Sequence, residues 1–347
     1  MEILNRILEQ NEFKKPEKLK DLSIEIYNDS DFNNLMGLYE RVFPGYMSKN
    51  LWLWKNNYNP FGKFYTLLMK DKNDIISAYS VAPKIFSIYG KQFSCVQSMD
   101  TMTDLKYRSK GISTYLARLI YEYAKIKGVN FVYGFPNKIS KNLIFDKLNW
   151  EYFGKRNFIT KKISKYRTVF ENKSDLLIRE IKKFNEDIDH FWEDYKNYFP
   201  IIIEKKFDYL KWRFDEHPLE KYKKYLIYNS DYKTISYFIL KRFKDKQGNL
   251  IGHIVDYLIG PQDKPLRYKI FKLIHYYSLN EFKSDCKKIS LWIPEEDLFY
   301  LAIKDLHYFK NEKKKFFGYK ILKSNKNLSP LKISKNWYIT MSDSDVF

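Results

Sequence analysis

Residues Arg108, Ser109, Lys110, Gly111, Ile112 and Ser113 are the part of this 347-residue chain best suited to chemistry. An extended apolar run precedes them and an amphipathic helical pattern follows. A short basic loop with one glycine, set between a strand and a helix start, is a site for an anionic ligand. The first N–H groups of a helix lack internal partners, and the macrodipole places partial positive charge there. Gly111 lets the backbone approach a ligand closely, and Arg108 and Lys110 can pair with its charges. Asp100 supplies a carboxylate on the run leading into the loop. The histidines at 190, 217, 253, 275 and 307 form no i, i+4 pair and no motif with Cys95 or Cys286, so no metal site is expected.

The elements that must position this loop are legible around it. Ile112, Tyr115, Leu116, Leu119, Ile120 and Tyr123 follow the spacing of one buried helical stripe, with Arg118, Glu122 and Lys125 off it. Gly128 stands where a helix ends. Residues 130–135 read as a buried strand closed by Pro136. The order is strand, basic loop, helix, glycine, strand.

That order, with Arg-x-x-Gly-x-Ser at 108–113, resembles the Arg/Gln-x-x-Gly-x-Gly/Ala signature of the GCN5-related N-acetyltransferase (GNAT) superfamily. Tyr107, Asn137, Phe145 and Leu148-Asn149-Trp150 also fit that family's pattern. The resemblance implies an α/β fold built on a mixed sheet and acetyl-CoA as co-substrate. It implies that the amides of Arg108, Ser109, Lys110, Gly111, Ile112 and Ser113 hold the pyrophosphate. The backbone of Thr101, Met102 and Thr103 would pair with the pantetheine arm, and Asn137 would bond that arm or a water. Ser113 departs from the signature, yet its hydroxyl is small and could donate to phosphate.

Acyl transfer from a thioester to an amine needs a neutral amine, a donor for the oxyanion and, in some cases, a proton for the thiolate. Asp100 reads either as the general base, where relatives carry Asp or Glu, or as a structural carboxylate bonding the backbone. The family's usual acid is a Tyr at the position of Phe145, which cannot donate a proton. Tyr133 on the neighbouring strand reads as a substitute or as a packing residue, and a CoA thiolate can also leave unaided. The resemblance adds a further candidate, because multi-domain aminoglycoside acetyltransferases insert a terminal carboxylate into the active site. The Phe347 carboxylate would be its counterpart, with Asp343 or Asp345 binding an amine. The alternative is an ordinary terminal strand running to the last residue.

Composition bounds the remaining choices. A hydrophobic content of 44% supports real cores, and the length suits two domains. The net charge of +20 attracts anions, but the cations are spread along the whole chain. Their densest cluster, 310–315, reads as a surface turn, and no nucleic-acid motif stands out. No apolar run is long enough to span a membrane, and the amphipathic N-terminus lacks a signal-peptide core. With two cysteines only, a reducing cytoplasm is the simplest setting.

A duplication is also visible. Trp54-Lys-Asn-Asn-Tyr-Asn-Pro60 is echoed by Trp212-Arg-Phe-Asp-Glu-His-Pro218. Two strand-like runs follow each (64–69 and 75–81, then 222–228 and 234–240). A third run carries Asp100 in the first copy and Asp256 in the second. A helix pattern from Tyr268, a strand at 289–293 and a helix from about Glu295 extend the echo, without a cofactor loop. The expected organisation is therefore a helical extension over 1–21 broken at Pro16, an acetyl-CoA domain over 22–165 and a degenerate GNAT-like domain over 166–347, with a linker near 163–176. The expected activity is N-acetyl transfer to a small amine such as an amino sugar or an aminoglycoside-like compound. The rivals are a FemABX-like aminoacyl transferase using charged tRNA and a non-catalytic CoA-binding protein. The acceptor and the oligomeric state are not legible.

Overall fold

The computed structural model describes residues 2–163, 175–293 and 305–344, without the side chains of 155–157 and 310–314. The chain divides into two compact units, neither of which is one stretch of sequence. The first comprises Met1–Phe86, Gln92–Gly154 and Phe316–Ser329, and the second Ser87–Lys91, Lys155–Lys315 and Pro330–Phe347. The expected linker lies mostly outside the described residues, as does the helix expected from Glu295.

The first unit runs α1 (Glu2–Leu8), β1 (Ser23–Ile26), α2 (Phe32–Val42), α3 (Lys49–Asn56), β2 (Tyr65–Asp71), β3 (Asp74–Ile88), β4 (Lys91–Thr103), α4 (Ile112–Ile126), β5 (Phe131–Gly134) and the start of β6 (Glu151–Lys162). Its sheet is mixed, in the order β1-β2-β3-β4-β5. β1, β2 and β3 are successive antiparallel neighbours, whereas β5 joins β4 in parallel after the α4 crossover. The helical stripe has its expected place: Ile112, Leu116, Leu119 and Ile120 are buried with Leu67, Met69, Val96 and Val132. Leu4 and Ile7 of α1 join this core. The other face of the sheet packs Leu68, Ala78 and Met102 against Leu35, Leu38 and Trp52 of α2 and α3.

The second unit runs β7 (Leu177–Ile181), α5 (Ile188–Tyr195), β8 (Ile201–Ile203), α6 (Phe207–Leu210), β9 (Lys223–Tyr228), β10 (Thr234–Lys244), β11 (Leu250–Ile259), α7 (Lys264–Phe282), β12 (Lys288–Leu291), the start of β13 (Phe309–Ile321) and β14 (Trp337–Tyr338). Its sheet order is β6-β12-β11-β10-β9-β7, and β8 pairs with β14. Apart from β8, which lies between α5 and α6, each unit contains the order strand, helix, helix, three strands, helix, strand.

Each sheet is completed by a strand far away in sequence. Ile159–Lys162 of β6 pair antiparallel with β12 in the second unit. Gly318–Ile321 of β13 pair antiparallel with β5 in the first. Gly318 is required there, since a Cβ would come within 2.6 Å of both the Glu151 carbonyl and the Phe145 ring. Two local expectations are corrected. The basic cluster 310–315 lies within β13 and is not a turn. Charged residues can occupy a strand without disturbing its backbone pattern, so charge alone misled the reading. The C-terminal segment does not continue as a strand: β14 has two residues, and a capping box at Thr340 and Asp343 turns the chain into a 3-10 helix over Met341–Asp343.

Candidate active site

The site begins at a fork in the first sheet. β4 and β5 pair at Cys95–Phe131, Val96–Val132 and Gln97–Tyr133, and β5 ends at Gly134. β4 continues through Ser98–Thr103 without β5 beside it. Gly134 permits the close approach at the apex, where a Cβ would lie 3.3 Å from the Ser98 carbonyl oxygen. The Tyr133 hydroxyl donates to Gln97 Oε1 at 3.2 Å, with both side chains buried.

Beyond the fork the chain turns into α4. Asp104 accepts from the Lys106 N–H at 3.2 Å and from Arg41 Nε at 2.7 Å. The guanidinium of Arg41 holds its carboxyl below the usual carboxylate range. A 3-10 turn follows at Leu105–Tyr107. Ser109 and Gly111 both take left-handed backbone conformations, at φ 63 and 79. α4 then begins at Ile112 with no side-chain cap, so its first N–H groups face outward unclaimed. Arg108 Nε donates to the Thr103 carbonyl at 3.1 Å, which ties the loop to the strand end. Lys110 Nζ lies 4.9 Å from the Tyr107 ring centroid. Lys18 Nζ lies 3.6 Å from where a Cβ on Gly111 would stand, so a third cation overhangs the loop. Sequence spacing gave no sign of Lys18, because tertiary folding brings it there. Ser77 and Ser113 each place a hydroxyl 2.9 Å from Thr103 Oγ1, and Ser77 also donates to the Met102 carbonyl at 2.6 Å. The Ser113 hydroxyl, read as a phosphate donor, therefore already has a neighbour in Thr103.

The structure gathers the expected cofactor residues Thr101, Met102, Thr103 and Arg108–Ser113 along one strand–loop–helix path. Asn137 stands apart as the organiser of its own turn: its Oδ1 accepts from the N–H groups of Ile139 at 2.8 Å and Ser140 at 2.9 Å. Asp100 lies on β4 beyond the fork, with φ 48, and its carboxylate takes Lys55 Nζ at 2.6 Å. Both side chains are nearly buried, at 7% and 4% exposure for Lys55 and Asp100. Phe145 packs edge-on against Tyr152, with ring centroids 4.8 Å apart, so a phenol does stand beside the position where sequence showed only Phe. Asp343 binds an amine belonging to this chain: Lys205 Nζ donates to it at 2.9 Å and to Asp256 at 3.1 Å, all three side chains being fully buried. Burial opposes the Lys205 charge, but the two carboxylates outweigh it and raise its pKa above the ordinary value. Phe347 and Asp345 lie outside the described residues. Among the described residues no group of His, Cys, Asp and Glu could hold a metal ion, and no helix is long and apolar enough to cross a membrane.

The second unit treats the corresponding helix start differently. Asp263 caps α7, accepting from the Leu266 N–H at 2.9 Å, with Pro265 in the first turn. A carboxylate thus occupies the place where α4 leaves open amides.

Known structures share this fold. A GCN5-related N-acetyltransferase from Anabaena variabilis superimposes with a TM-score of 0.67 at 12% identity, covering 87% of this chain and 73% of that one. A probable N-acyltransferase from Enterococcus faecalis gives 0.66 at 11% identity, with the same coverages of 87% and 73%. The Saccharomyces cerevisiae N-myristoyltransferase with bound myristoyl-CoA gives 0.56 at 13% identity, covering 88% and 82%. The fold is that of the GNAT acyltransferases. Within it, residues 23–153 match the family described as an acetyltransferase (GNAT) domain. No curated protein matches the chain in sequence.

Proposed function

We propose that the chain is an N-acyltransferase that moves the acetyl group of acetyl-CoA to a primary amine of a small molecule, with an amino sugar or aminoglycoside-like compound as the acceptor class. The observation that carries this reading is the uncapped start of α4 behind a left-handed, tri-cationic loop, directly beyond the fork of β4 and β5. The open amides with Arg108, Lys110 and Lys18 would take the pyrophosphate, and Thr101–Thr103 would face the pantetheine arm along the stretch of β4 that runs past β5. The reaction needs the amine nitrogen to attack the thioester carbonyl, the sulfur to leave as thiolate and the ammonium proton to pass to a base or water.

The second unit supports a degenerate copy: it repeats the element order but caps its helix start with Asp263, which repels an anion. The yeast myristoyltransferase likeness extends the donor class to longer acyl-CoA thioesters, so acyl length enters the test. Calorimetry with acetyl-CoA and myristoyl-CoA, followed by thiol release against an amine panel, is decisive. Binding of at least one thioester by the wild type and its loss in Gly111→Glu is expected. Absence of heat with both would remove the reading.

A further inference from the structure

β4 changes face partway along its length. Val96 packs under α4, and Ser98 bonds Tyr79 at 2.7 Å, whose hydroxyl meets Tyr121 of α4 at 2.6 Å. Even-numbered residues therefore face α4 in this half. Further on, the odd-numbered Thr103 meets Ser113 of α4, while the even-numbered Met102 packs with α2 and α3 on the opposite side. One residue has slipped between 98 and 102, which is the mark of a bulge. Asp100 sits at the slip, in the left-handed region. A non-glycine residue there persists only when its surroundings hold it. Its carboxylate meets Lys55 of α3 in a buried contact.

The second unit also sets a lysine–aspartate pair beside a strand irregularity, without the loop and with Asp256 outside the left-handed region. Ile239 lies opposite Asp256 and Leu240 opposite Ile254, so Val255 is an extra residue in β11. Asp256, next to it, takes the buried Lys205. A lysine–aspartate pair thus accompanies the strand irregularity whether or not an anion loop follows. The shared element is strand geometry and not the chemistry.

We infer that Lys55 and Asp100 form a clamp that holds the β4 bulge, directing Thr101–Thr103 and the loop beyond, and that Asp100 is a positioning residue and not the proton acceptor. The purpose of that direction rests on the acyl-CoA reading, whereas the clamp itself does not. The clamp predicts an order among Asp100 variants that a general base does not. Glycine adopts φ 48 freely and asparagine tolerates it, but alanine does not. Acetyl-CoA affinity by calorimetry should fall about tenfold in Asp100→Ala, the cost of a strained left-handed residue, and by less in Asp100→Asn, which tolerates φ 48 and keeps an acceptor for Lys55. Thiol release at saturating amine should fall far less in Asp100→Asn than in Asp100→Ala. Equal, near-complete loss of turnover in both variants with unchanged affinity would show Asp100 to be the base and overturn the proposal.

Amide hydrogen exchange over 98–103 supplies a readout that needs no ligand. It should accelerate in Lys55→Met and stay near wild type in Lys55→Arg. Should Lys55→Met fail to fold, the neutral double variant Lys55→Met/Asp100→Asn leaves no unpaired charge and carries the same expectation. Unchanged exchange in these variants overturns the clamp. If wild type binds no acyl-CoA, the functional reading fails and the exchange result still decides the clamp.

Discussion

Gly111 shows how a single residue sets the candidate site. Its φ of 79 suits glycine, and a Cβ would meet nothing nearer than Lys18 Nζ at 3.6 Å, so alanine is penalised by backbone conformation and not by collision. Gly111→Ala should therefore cost about 1 kcal/mol of stability, measurable by urea unfolding. It should also weaken acyl-CoA binding, because the loop amides would have to tilt. Lys205 is the residue-scale counterpart in the second unit. Removing its ammonium leaves Asp256 and Asp343 buried without their shared cation. Lys205→Met should lower stability by about 3–5 kcal/mol, seen as a fall in melting temperature, and leave the basic loop of the first unit intact.

At the scale of elements, α4 depends on what packs against it. Leu4 and Ile7 of α1 are fully buried in the α4 core, and Tyr115 donates to the Phe13 carbonyl at 2.8 Å. Leu4→Ala should cost about 2–5 kcal/mol, and thermal melting checks it. α7 offers a pH prediction. Burial works against the Glu281 charge, but Lys223 and Arg242 outweigh it and hold its carboxyl below the ordinary 4.5. Arg242 likewise holds Asp285 below the ordinary 3.8. Folded values below the unfolded ones contribute stability that is present above about pH 4.5 and is lost as acid protonates the folded groups. Stability should decline below that pH. Arg242→Met should flatten the decline, and urea midpoints measured between pH 3 and 6 on the order of the carboxylate titrations test it.

For the molecule as a whole, β6 from the first half of the sequence and β13 from the second each complete the sheet built mainly from the other half. Gly318→Ala would drive a Cβ against the Glu151 carbonyl in the first unit. It should destabilise by about 1–3 kcal/mol although residue 318 lies far along the chain from the loop, and calorimetric melting would record it. The sequence could not reveal this exchange. Residues 310–315 of β13 read as a surface turn and 151–162 carry no strand reading, and strand pairing depends on which edges meet in space.

The sequence by itself determined the local parts. The α4 stripe, the basic loop with its glycine at 111, the strands before and after, and the repeated Trp-led echo all follow from residue types and spacing over a few neighbouring residues. Phe145 was legible as a missing acid, but the phenol of Tyr152 beside it was not, since the ring contact comes from folding. Tertiary structure alone decided that Lys18 overhangs the loop, that Lys55 takes Asp100, that Asp343 serves Lys205 and that β6 and β13 leave their own halves. Those contacts join residues tens to more than a hundred positions apart. No short-range pattern encodes them, because their free energy is realised only when burial brings the partners together.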